Sequence, residues 1–161
     1  MATEPSSVDP AAYNQVVGRT TLGSIRLTES RFDIKPDALA TDADTWRKQI
    51  SAEPVEVITD VEGGRLYGIF EFELACRHKR KKVLVCSARF FISFRVEGTF
   101  EAAVGELFVQ RVGKVMAYPY FRSTVAQLVS QAAIDLPPLP MFSLQPRSVN
   151  SAAELEEPAT L

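Results

Sequence analysis

Two consecutive runs of this chain alternate so regularly that few conformations remain open to them. In the first, Leu66, Gly68, Phe70, Phe72, Leu74 and Cys76 share one parity, and Tyr67, Ile69, Glu71, Glu73 and Arg77 share the other. In the second, Leu84, Cys86, Ala88, Phe90, Ile92, Phe94 and Val96 alternate with Ser87, Arg89, Ser93 and Arg95. A period of two is that of a strand, and an apolar parity predicts one buried face. The short basic stretch His78-Lys-Arg-Lys-Lys82 between the runs predicts an antiparallel hairpin. Upstream, Val55–Val61 alternates as well, and Glu62-Gly63-Gly64-Arg65 supplies a tight turn, because glycine accepts positive φ. The three strands make a meander.

A fourth strand is expected from Gly18 to Ile34, ended by Pro36. Its apolar residues change parity midway: Ile25 and Leu27 are odd, Phe32 and Ile34 even. A bulge or bend near Thr28–Ser30 reconciles them. The connection from Lys35 to Pro54 is then about 20 residues long, a length more common in functional loops than in plain connectors. It carries Leu39 and the sole tryptophan, Trp46. Trp46 has two readings: a plug in the core, or the wall of a surface groove.

The period changes after Gly98. Thr99 is a candidate helix cap, and Phe100, Ala103, Val104, Leu107, Phe108 and Val112 recur at helical spacing, with Gly113 expected to end or kink that helix. A second helix is expected to open at Pro119, where a missing N–H costs nothing. Phe121, Val125, Leu128, Val129 and Ala132 form its apolar stripe, and Pro137, Pro138 and Pro140 stop it. The fold class that follows is α+β, a four-stranded antiparallel sheet followed by helices packed on one face. The domain is expected at residues 16–144, between a mobile tail at 1–15 and a polar tail at 145–161 that ends acidic with Glu154, Glu156 and Glu157.

Composition narrows the function by exclusion. A net charge of −2 lacks the basic excess of a general nucleic-acid binder. No apolar run approaches the roughly 20 residues of a membrane span, and the N-terminus lacks the basic and apolar regions of a secretory signal, so the expected address is cytoplasmic. Cys76, Cys86 and His78, the only histidine, leave a zinc site one ligand short. Glu71 and Glu73 could form an acid–base pair, but an alternating solvated face explains them as well. The basic turn Arg77–Lys82 reads as a solvated hairpin tip or as a contact for an acidic partner. Neither phosphate loop, GxGxxG or GxxxxGK[ST], occurs. No catalytic residue, metal or cofactor is therefore assigned.

The segment Tyr118-Pro119-Tyr120-Phe121-Arg122, followed by a Val/Leu stripe and Leu136-Pro-Pro-Leu139, resembles the Phe/Tyr-Pro-Tyr-x-Arg motif and Leu/Pro-rich segment of the SecB export chaperones. The SecB-like chaperones of toxin–antitoxin operons carry the same elements. The resemblance covers residues 18–144. It implies an ATP-independent holdase, not an enzyme, that assembles as a dimer of dimers and binds unfolded polypeptides in apolar grooves. It places Phe32, Leu39, Trp46, Phe142 and Leu144 in the client groove and Val125, Leu128, Val129 and Ala132 at an oligomer interface, with the core of the single chain as the alternative for these four. The chain departs from the export SecB proteins in Arg89 and Arg95 on the outer sheet face, in the basic turn, and in lacking a terminal amphipathic helix. The partner is thus expected to be SecA or, with these departures, a dedicated client such as an antitoxin. A non-chaperone module that uses the same apolar face for one folded partner is the alternative.

Overall fold

The structure is a computed structural model and describes residues 8–141. It opens with α1 (Pro10–Arg19), where a mobile tail was expected. Asp9 caps this helix by accepting from the Ala11 N–H, and Pro10 occupies the first turn. Val16 is buried, Tyr13 lies 6.5 Å from the Phe108 ring, and the Arg111 guanidinium sits over Tyr13. The capping signal Asp-Pro therefore starts a helix that has a core to pack against.

Strand β1 (Thr20–Ile34) follows directly. Then come two short 3-10 turns, Pro36–Ala40 and Ala43–Thr45, and strands β2 (Arg47–Asp60), β3 (Arg65–His78) and β4 (Lys81–Val96). All pairs are antiparallel, in the order β1-β4-β3-β2. The four-stranded sheet is as expected, with one strand longer. β2 begins at Arg47, so the expected long loop ends eight residues earlier. Pro54 lies inside β2, where a proline argues against a central strand. The structure resolves this in two ways: β2 is an edge strand, and its register slips between Pro54 and Glu56.

The parity change in β1 is absorbed as anticipated. Register shifts fall between Leu27 and Glu29, and also between Leu22 and Ser24. They keep Leu22, Ile25, Leu27, Phe32 and Ile34 opposite the inward residues Phe94, Ile92, Phe90, Cys86 and Leu84 of β4. The inward sets of β3 and β4, from Leu66 to Cys76 and from Leu84 to Val96, are buried, Gly68 included.

The helical layer differs from the expected pair of helices. α2 (Ala102–Phe108) runs through one π-helical turn, Val109–Gly113, into α3 (Lys114–Gln131). Glu101, not Thr99, precedes the first turn and makes no side-chain cap. Pro119 sits inside α3 instead of opening it. The reason lies in the packing. The Phe70 ring fills the space against Gly113, where a Cβ would come within 2.5 Å of its Cε2. Gly113 thus marks a close approach of helix and sheet, and the helix passes over it with a widened turn. α3 then packs mainly across β4, β3 and β2, with Phe121 stacked on Phe72 at 5.3 Å. The inner face of β1 has less cover. Leu22 and Leu27 are exposed there, and Ile25, Phe32 and Ile34 only half-buried.

α3 ends in a tight reversal. Ile134 N–H donates to the Val129 carbonyl and Ala133 N–H to that of Ser130, with Ala133 at φ 54°. This is the Schellman arrangement, with alanine where glycine is usual. The chain then runs back along α3 through the three prolines.

Candidate functional site

The two halves of the sequence signature meet in space. Tyr118 and Arg122, four residues apart on one face of α3, both reach the returning Leu136–Pro140 segment. The Tyr118 hydroxyl donates to the Pro140 carbonyl (2.8 Å), and Arg122 Nε–H donates to the Leu139 carbonyl (3.0 Å). Three prolines deprive that segment of donors, so its carbonyls are what remain to hold it. Leu139 is buried by this clamp, and burial raises the Tyr118 phenol above its ordinary value. The motif therefore fixes the path of the chain after the helix. It touches no candidate reactive group.

The path matters because the reversal at Ala133 and Ile134 comes against the loop between β1 and β2. Leu39, Thr41, Asp42, Ala43 and Trp46 on one side and Ala133, Ile134 and Asp135 on the other line a pocket of about 240 Å³. Leu39 is 59% exposed, whereas Trp46 is 5% exposed. Trp46 Nε1–H donates to Thr41 Oγ1 (2.9 Å), and that hydroxyl donates to the Ala38 carbonyl. Of its two readings, Trp46 is foremost a core plug, with one edge on the pocket. A groove of about 310 Å³ lies alongside, between α3 and Leu136–Leu139.

The expected site residues divide as follows. Leu39 and Trp46 come together. Phe32 lies on β1 opposite Cys86, packs partly on the core and does not line this pocket. Phe142 and Leu144 lie outside the described residues. Val125 and Val129, for which an oligomer interface and the chain's own core were both open, are buried within the chain, beside the groove between α3 and the returning Leu136–Leu139 segment. Leu128 and Ala132 remain half-buried. The outward stripe of α3 is instead Met116, Tyr120, Ser123 and Gln127. Ile134 was missed in the sequence. It follows the helix as one apolar residue before an acid and a proline run, with no periodicity to mark it.

Glu71 is paired: Arg89 donates to it through Nε–H (2.9 Å) and to Glu29 through Nη1–H (3.1 Å), across three strands of the outer face. Hydrogen bonding to Glu71 and the charges of both acids raise the guanidinium pKa further. His78 Nδ1 lies 3.2 Å from Thr45 Oγ1. No cluster of three potential metal ligands occurs among the described residues. None of the described helices is long and apolar enough to cross a membrane.

Cys76 and Cys86 are free and buried on the inner face, and burial pushes each thiol up to about 11. The neutral form is favoured in the fold. Stability from this source is therefore complete below the ordinary value of 9.0 and falls as pH rises from about 9 to 11. A thiol reagent at neutral pH is expected to label neither cysteine until denaturant is added, and a guanidinium midpoint measured against pH should drop across that alkaline window.

No protein-family model matches the sequence, and no curated protein is significantly similar to it. Among solved structures, the SecB-like chaperone Rv1957 of Mycobacterium tuberculosis, in complex with a ChAD peptide from the Rv1956 HigA1 antitoxin, superimposes with a TM-score of 0.66. The match has 20% identity and covers 84% of this chain and 98% of that one. A protein of unknown function from Streptococcus agalactiae matches with a TM-score of 0.40 and 10% identity over 77% of this chain, too weakly to support an argument. The antiparallel sheet β1-β4-β3-β2, covered by a long C-terminal helix, is a SecB-like fold.

Proposed function

We propose that this protein is an ATP-independent chaperone that holds segments of unfolded polypeptide, and that Leu39, Trp46 and Ile134 form one binding subsite. The observation that carries the reading is the pocket at which an exposed leucine, a tryptophan edge and the end of the helix converge. The fold likeness to a SecB-like chaperone supports it, as does that protein's complex with an antitoxin peptide. The half-covered row Leu22, Ile25, Leu27, Phe32 and Ile34 on β1 runs into the loop that carries Leu39, and would extend the groove. In this reading Phe142 and Leu144 follow the clamped segment and add further apolar contacts.

The mechanism is additive burial. One apolar client side chain gains roughly 1.5–3 kcal/mol on full burial. Ordering the client removes part of it, at about 0.5–1.5 kcal/mol per immobilised side chain. A pocket this size takes one or two side chains, so useful affinity needs several subsites in series. We read the client as a dedicated one, such as an antitoxin, more than a general export substrate delivered to SecA. The outer sheet face supports this, because its acids Glu29 and Glu71 are bridged by Arg89. Assembly into dimers of dimers would use the outward stripe of α3, with Leu128 and Ala132 at its flank, while Val125 and Val129 serve the monomer.

Trp46 is the only tryptophan in the chain and so reports on its own pocket. Titration with a tryptophan-free apolar peptide is expected to change its emission saturably. A flat titration, with no binding by anisotropy of the labelled peptide, would contradict the proposal.

A further inference from the structure

The Leu39–Trp46 pocket has a larger neighbour that differs in the charge of its rim. A cavity of about 860 Å³ lies beneath the β3–β4 hairpin, between its tip and the start of the β1–β2 loop. It shares the lining residues Ala38 and Thr41 with the Leu39–Trp46 pocket, so the two adjoin. Its rim carries Lys35, Lys79, Arg80, Lys81 and Lys82 against a single carboxylate, Asp37. Each of these six side chains is exposed. None is ion-paired among the described residues, where the pairs formed are those of Arg89. The floor is less polar, with Ala38, Thr41 and buried Val83.

A solvated hairpin tip would need its lysines only to point into water. Here the tip roofs a cavity large enough for several side chains, and five cations face one acid in a chain whose net charge is −2. Like charges held this close repel one another, and an anionic occupant relieves that repulsion. The two pockets lie side by side, so one extended polypeptide can reach both. We propose that the cavity beneath the Lys79–Lys82 hairpin docks an acidic stretch of the client, next to the apolar segment held at Leu39 and Trp46. This rests on the chaperone reading above and adds to it a polarity: the preferred client has acidic residues flanking an apolar run.

Three labelled peptides test it, with one apolar core flanked by glutamates, by serines or by lysines, bound to the full chain and followed by anisotropy. At low salt the glutamate peptide is expected to bind at least about tenfold tighter than the serine peptide, the sum of several exposed charge pairs. The gap should close at roughly 0.5 M NaCl, where screening is strong. The double substitution Lys81→Glu and Lys82→Glu should abolish the preference and leave serine-peptide affinity unchanged. Equal binding of all three peptides, or a preference for lysine, overturns this proposal and leaves the chaperone reading intact. Binding of none overturns both. Tighter binding of a short DNA duplex than of the glutamate peptide would assign the cavity to nucleic acid and overturn it too. If the glutamate preference emerges only in a chain ending at residue 144, the occupant is the chain's own acidic tail and not a client.

Discussion

Phe70→Ala is expected to lower the stability of the fold by about 3–5 kcal/mol, the usual range for a buried phenylalanine reduced to alanine. That is a large part of the roughly 5–15 kcal/mol available to a domain. Phe70 is fully buried on β3, opposite Phe90 of β4 and Pro54 of β2. Its ring occupies the place where side chains are missing from both layers. A Cβ on Gly68 would lie 2.6 Å from its Cε2, and one on Gly113 2.5 Å. Sheet and helix were both cleared for this ring, so deleting it leaves a cavity that neither can collapse to fill. The complementary change makes the same point. Gly113→Ala would gain about 1 kcal/mol on helix propensity alone. It is expected to destabilise instead, because overpacking a closed contact costs roughly 1–3 kcal/mol. Urea denaturation of the two variants checks both signs. A stable Phe70→Ala protein, or a stabilised Gly113→Ala protein, would show that the helix does not sit on the sheet as described.

Leu39→Asp is expected to weaken binding of an apolar client peptide about tenfold or more, while stability stays within about 0.5 kcal/mol. The first half follows from losing a contact of roughly 1.5–3 kcal/mol, each 1.4 kcal/mol being a factor of ten. The second follows from exposure, since Leu39 has little cover to lose. Trp46→Ala is the less informative substitution. It empties the core and breaks the hydrogen bond to Thr41, so its effect on binding would be mixed with unfolding. Isothermal titration alongside denaturation separates the two quantities for Leu39→Asp. Unchanged affinity would remove the pocket from the binding surface.

Local pattern carried much of the fold. The parities of β3 and β4 predict their buried faces residue by residue, because alternation is a property of the strand itself. The bulge near Thr28 was legible for the same reason. What was missed depended on distant neighbours. Pro54 is acceptable in β2 because, among the described residues, no strand lies beyond it. Pro119 sits within α3 because packing of that helix across the sheet holds the chain helical through it. Asp9-Pro10 starts a helix because Phe108 and Arg111 meet Tyr13 there. The site was legible in part. Leu39 and a nearby Trp46 in a long loop suggested a binding surface, but spacing could not separate a core tryptophan from a groove tryptophan. Nor could the helical stripe say whether Val125 and Val129 faced the sheet or a second subunit. Ile134 became visible only once the chain was seen to reverse at Ala133.

In the function we propose, a surface beginning at Leu39 and Trp46 holds unfolded chains without ATP. Light scattering from an unrelated protein as it unfolds and aggregates tests it most directly. With no nucleotide present, the wild-type chain is expected to suppress scattering at near-stoichiometric ratio, and Leu39→Asp, equally folded, to suppress it much less. Undiminished aggregation in the presence of excess wild-type protein would contradict the account.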